Sequence, residues 1–136
     1  MKKIFLIIGM IAVLGACAPQ PHAVLGNQQS QVQTRNIQSR SFDTGDRAAV
    51  MRSVIATMQD LGFIIERADE RLGTVSGTSF TTNMRMTVTV RAHGTEQMIV
   101  RANAQRGNRE VTDPVAYQNF FNALSQSLFL DANLID

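Results

Sequence analysis

Between Met84 and Arg91 apolar and polar residues alternate without a break. Met84, Met86, Val88 and Val90 take one set of positions, and Arg85, Thr87, Thr89 and Arg91 take the other. Side chains of a strand point alternately to its two faces, so this pattern predicts a strand with one buried and one wetted face. It excludes a helix here, where those residues would scatter around the axis. His93-Gly94-Thr95-Glu96 follows with the composition of a hairpin loop, and Gln97 to Gln105 is expected to return as the partner strand. If Arg101 and Asn103 share the polar face of that partner, the hairpin carries a broad arginine-bearing surface.

The apolar face needs a covering layer, and two segments supply helical periodicity. Val50, Met51, Val54, Ile55, Met58 and Leu61 recur at helical spacing, with Thr44 or Asp46 placed to cap the start and Gly62 placed at a left-handed end. Thr112-Asp113-Pro114 offers a capping residue followed by proline at the first helical position. Tyr117, Phe120, Phe121, Leu124 and Leu128 form the stripe of that second helix. Further strands are expected from Thr34 to Phe42, at Phe63 to Glu66 and from Thr74 to Phe80, with a polar turn at Asp69 to Gly73. Arg106 to Arg109 breaks the pattern. The fold class expected is α+β, in strand, helix, strands, helix order. An antiparallel sheet of about four to five strands would carry both helices on one face, around one core.

The N-terminus has a different design. Lys2 and Lys3 precede an apolar or small run from Ile4 to Ala16, which ends Leu14-Gly15-Ala16-Cys17 at the only cysteine. A charged start, a short apolar middle and small residues at the cut make a secretory signal. The run is shorter than the roughly 20 residues a membrane-spanning helix needs. Leu14 to Cys17 resembles the lipobox of bacterial lipoproteins. That resemblance implies residues 1–16 as signal peptide, cleavage before Cys17, and acyl chains on Cys17 that tie the protein to a membrane. Ala18 stands where enterobacterial lipoproteins held at the inner membrane carry aspartate, so the outer membrane's periplasmic leaflet is the expected site. Residues 17–33, with five glutamines, two prolines and a glycine and no sustained period, are expected to be a flexible tether, with residues 34–136 as one α+β domain. As a flexible coil, about 16 residues average on the order of 20 Å end to end.

Charge and chemistry narrow the function classes. The formal charge of +2 comes from the two signal lysines; from Cys17 onward the 11 arginines equal the 11 acidic residues. No excess of positive charge remains for nucleic-acid binding, and none is expected. One cysteine allows no intrachain disulfide. His22 lies in the tether and His93 in a loop, with no ligand spacing around them, so no metal and no cofactor is expected. Ser76 is in no nucleophile motif, Asp69 and Glu70 are turn carboxylates, and Gly73 to Gly77 lacks the lysine of a phosphate loop. No catalytic residue is expected. Arg85, Arg91 and Arg101 on the sheet, with Phe121 and Phe129 on the last helix, are the candidate partner-binding residues.

The run from Met58 to Gly77, Met-Gln-Asp-Leu-Gly-Phe-Ile-Ile-Glu-Arg-Ala-Asp-Glu-Arg-Leu-Gly-Thr-Val-Ser-Gly, resembles a pattern of small proteobacterial envelope lipoproteins. In those proteins a helix ends in Leu-Gly-Phe, a strand follows, and an acidic turn leads to the next strand. The outer-membrane barrel-assembly machine has a lipoprotein component built from two helix-grip domains, and each is similar to this chain over residues 44–80 and more loosely to 130. This chain has room for one such domain. The resemblance implies binding or scaffolding in an envelope assembly, facing the periplasm, with another envelope protein as partner. A lipid- or peptidoglycan-binding module is the alternative, and an enzyme with an unrecognised site comes after it.

Overall fold

A computed structural model of the chain describes residues 31–133. The expected signal segment, Cys17, Ala18 and His22 lie outside the described residues. The domain is α+β, with an open antiparallel six-stranded sheet and three helices. Residues 31–37 are helical (α1). They are followed by β1 (Ser39–Phe42), α2 (Arg47–Asp60), β2 (Ile64–Asp69), β3 (Thr74–Ser79) and β4 (Met84–His93). The chain then forms β5 (Gln97–Arg106), the two-residue β6 (Arg109–Glu110) and α3 (Pro114–Asn133).

Strands β2 to β5 form a meander in which each pairs with the next, and β1 returns to close the far edge of β5, giving the order β1-β5-β4-β3-β2. Three expectations are corrected at the edges. The strand expected from Thr34 begins only at Ser39, because Thr34 lies in α1 and its carbonyl accepts the Gln38 amide at 3.1 Å. Residues 31–33, expected in the tether, are helical as well. Arg106 to Arg109 does not end the sheet but turns it, through Gly107 at φ 59°, into β6 on β5.

The far edge of β5 is covered along its length by unlike pieces. β1 pairs with Met98 to Arg101, the Gln38 carbonyl accepts from Ala102, and β6 pairs with Gln105 and Arg106. In the gap stands a side chain. The Tyr117 hydroxyl accepts the Ala104 amide at 3.2 Å and donates to the Val111 carbonyl at 2.6 Å. The opposite edge, β2, has a register irregularity at Glu66 and carries Glu66, Arg67 and Asp69, devices that discourage another strand from adding there.

The helix ends follow their sequence signals. The Asp46 carboxylate accepts the Ala49 amide at 2.9 Å and so caps α2, while Thr44 accepts the Asp46 amide one step earlier. At the other end Gly62 takes φ 85°. Its amide bonds the Gln59 carbonyl, and the Phe63 amide reaches the Met58 carbonyl at 2.9 Å, a Schellman end. Val50, Val54 and Met58 of α2 and Tyr117, Phe120 and Leu124 of α3 share one buried cluster with Val75, Met86, Val88, Val90 and Val100 of the sheet. Gly77 is required chiefly by β2, since a Cβ there would stand 2.7 Å from the Ile64 carbonyl oxygen, with Met58 Cε of α2 at 3.2 Å.

Candidate functional site

The residues of β3, β4 and β5 that do not enter the core make a second surface. The register pairs Arg85 with Gln105, Thr87 with Asn103, Thr89 with Arg101, and Arg91 with Ile99. Directly paired residues point to the same face, so Arg85, Thr87, Thr89, Arg91, Arg101 and Asn103 all lie together. The alternate residues Met86, Val88, Val90, Val100, Ala102 and Ala104 are buried. Thr74, Ser76 and Thr78 extend the polar face along β3, and Ser39 extends it along β1 opposite Arg101.

The face divides into two electrostatic regions. Arg85 lies 3.5 Å from Glu66, whose other carboxylate oxygen accepts the Thr78 hydroxyl at 2.9 Å. That guanidinium already has a counter-charge. Arg91 and Arg101 differ. They sit diagonally across the β4–β5 pair, where neighbours are about 7–8 Å apart and long side chains can reach one another. Among the described residues neither forms an ion pair. Between them lies a shallow depression of 440 Å³ lined by Ser39, Thr87, Thr89, Ile99 and Asn103 as well as the two arginines, with no carboxylate in its wall. Asn103 is anchored at its edge, donating to Glu110 at 3.2 Å. Glu110 also accepts from the buried Gln38 amide at 2.7 Å.

Two guanidiniums without counter-charges above hydroxyl and amide groups suit an anionic oxygen ligand. Each guanidinium presents a planar fork of donors that matches a carboxylate, and Thr, Ser and Asn add further hydrogen bonds. Ser39 and Ile99 were absent from the candidate residues. Ile99 was reachable by counting back through the Gly94 turn, but Ser39 joins only because β1 returns to β5.

The aromatic candidates on the last helix separate. Phe121 is corrected from candidate contact to core residue. It is 1% exposed, packs edge-on against Phe120 with ring centroids 5.1 Å apart, and is covered by the Arg40 guanidinium 5.0 Å from its centroid. Phe129, two turns on, is 68% exposed, with Leu130 exposed beside it. Eight residues carry Phe129 about 80° round the helix from Phe121, to the flank of the stripe beside Leu128, which still packs on the core. His93 is exposed at the end of β4. Among the described residues no cluster of three or more His, Cys, Asp or Glu side chains is placed to hold a metal ion. No helix among them is long and apolar enough to cross a membrane.

The fold and this surface define a small α+β domain with an open, arginine-bearing sheet face. No protein-family model matches the chain, and no curated protein sequence is significantly similar to it.

Proposed function

We propose that this protein is a lipid-anchored, non-catalytic binding component of a bacterial envelope assembly. Acylated Cys17 holds it at the periplasmic leaflet of the outer membrane, and the sheet face recruits an acidic envelope protein. The reading takes both helices to lie on one side of the sheet, in strand, helix, strands, helix order after α1, so that the other side is free for a partner. Support for that arrangement comes from the single cluster joining Val54, Met58, Phe120 and Leu124 to Met86, Val88 and Val90, and from the exposure of Thr87, Arg91 and Arg101. The spacing of Lys2, Lys3 and Leu14 to Cys17 supports the anchor. The resemblance to envelope lipoproteins over residues 44–80 supports a role in assembly.

One observation carries the binding role: Arg91 and Arg101 flank a depression with no carboxylate in its wall. Two exposed guanidiniums side by side, not neutralised by a carboxylate of the described residues, offer an anionic ligand two forks of donors, and that is the use proposed. The test is recovery of partners from native membranes in mild detergent by the full chain and by its Arg91→Glu, Arg101→Glu variant. Loss of one specific acidic envelope protein, by at least tenfold, is the expected result. Undiminished recovery by the variant removes the sheet face from the account. Loss of binding to purified peptidoglycan fragments or anionic vesicles, with no protein partner recovered, transfers the role to a glycan or lipid ligand.

A further inference from the structure

A second surface of opposite chemistry lies where the start of α2 meets the end of α3. There Phe42, Ala49, Leu128 and Phe129 line a groove of 550 Å³. Its rim carries three carboxylates, Asp43, Asp46 and Asp131, against the single cation Arg52. Each carboxylate is fixed by a neutral donor. Gln97 Nε2 donates to Asp43 at 2.8 Å, the Ala49 amide to Asp46 at 2.9 Å, and the Ser53 hydroxyl to Asp131 at 3.2 Å. None of the three has a cationic partner among the described ion pairs. The Phe129 side of the wall is exposed, as is the neighbouring Leu130. An apolar floor with a fixed acidic rim is complementary to an apolar segment that carries positive charge.

We infer that this groove docks a short peptide segment of a partner protein, one that places an apolar side chain against Phe42, Leu128 and Phe129 and lysine or arginine beside Asp43 and Asp131. The rim charge selects this occupant over the chain's own residues 134–136, Leu-Ile-Asp, which would bring a further carboxylate to an acidic rim. The two surfaces differ in the sign of the charge they accept, so one domain has the means to hold two unlike partners. The inference is independent of the sheet-face reading and extends it.

The probe is a phage-displayed library of random dodecapeptides, selected on the full chain in detergent micelles and followed by fluorescence anisotropy of the selected peptides. Enrichment of peptides that combine large apolar residues with lysine or arginine is expected. Phe129→Ser and Asp43→Asn, both exposed positions, should each weaken them at least tenfold, whereas Arg91→Glu, Arg101→Glu should leave their affinity unchanged. That last variant separates failure of the sheet-face reading from failure of this one. No enriched peptides, peptides without basic residues, or affinities indifferent to Phe129 and Asp43 would overturn the inference. So would tighter peptide binding after deletion of residues 134–136, which assigns the groove to the chain's own tail. A Phe129-dependent dimer in sedimentation assigns it to a second copy and equally overturns it.

Discussion

Replacing Tyr117 by phenylalanine removes one oxygen atom from a residue that is 0% exposed, and that oxygen closes a gap in the sheet edge. It donates to the Val111 carbonyl at 2.6 Å and accepts from the Ala104 amide and Gln38 Nε2, both at 3.2 Å. Gln38 keeps Glu110 as a partner at 2.7 Å, so its amide is not stranded. Val111 and Ala104 do lose their partner for these groups. A buried group left unsatisfied costs about 1–3 kcal/mol, and phenylalanine recovers part of this because no hydroxyl is buried any longer. The net loss expected is about 2–4 kcal/mol. One vacated oxygen leaves too little room for a water to replace the bonds. For a domain of this size about 4–8 °C is lost per kcal/mol, so the melting temperature should fall by about 8–30 °C. Urea unfolding followed by circular dichroism should show the midpoint lowered and the slope unchanged. Amide exchange adds a local readout, since the Ala104 amide should lose protection more than that of Val88 on the neighbouring strand. A fall of less than about 3 °C, or uniform loss of protection, would refute the view that this hydroxyl acts as a piece of the sheet edge.

Two further outcomes test the fold and the anchor. Gly77→Ala places a Cβ 2.7 Å from the Ile64 carbonyl oxygen. It should cost about 1–3 kcal/mol in urea unfolding as β2 shifts to accommodate it, and a change under about 0.5 kcal/mol would contradict the close approach of the Ile64 carbonyl. Cys17→Ser should abolish incorporation of a labelled fatty acid and leave the precursor uncleaved, and unchanged labelling would remove the lipid anchor from the proposal.

Much of the architecture was legible because it is local. Alternation from Met84 to Arg91 determined a two-faced strand, and the register of its hairpin then placed Arg91 and Arg101 on one side without any knowledge of the rest of the fold. Asp46, Gly62 and Pro114 marked helix ends because capping depends on residues only a few positions away. The α3 stripe was equally clear in sequence. Its flank was not, since Phe129 lies only about 80° round the helix from Phe121 and beside Leu128, and whether that flank is covered depends on what packs there.

Tertiary structure alone decided the contacts between distant residues. Nothing near Ser39 in sequence indicates that it pairs with Arg101, because pairing of β1 with β5 is a long-range closure whose gain comes from covering an otherwise open strand edge. The same closure turned the Tyr117 hydroxyl from the polar tip of an apolar stripe into a substitute for a missing strand. At the opposite edge, β2 brings Glu66 to Arg85, while Arg91 and Arg101 have no ion pair among the described residues. The groove at the start of α2 needed both helix ends and β1 in place before Phe42 and Phe129, 87 positions apart, could share a wall. Sequence by itself determined which faces are apolar, since that follows from the period of each element. The folded chain determined which of those faces remain open, because burial depends on what distant parts of the chain arrive to cover them.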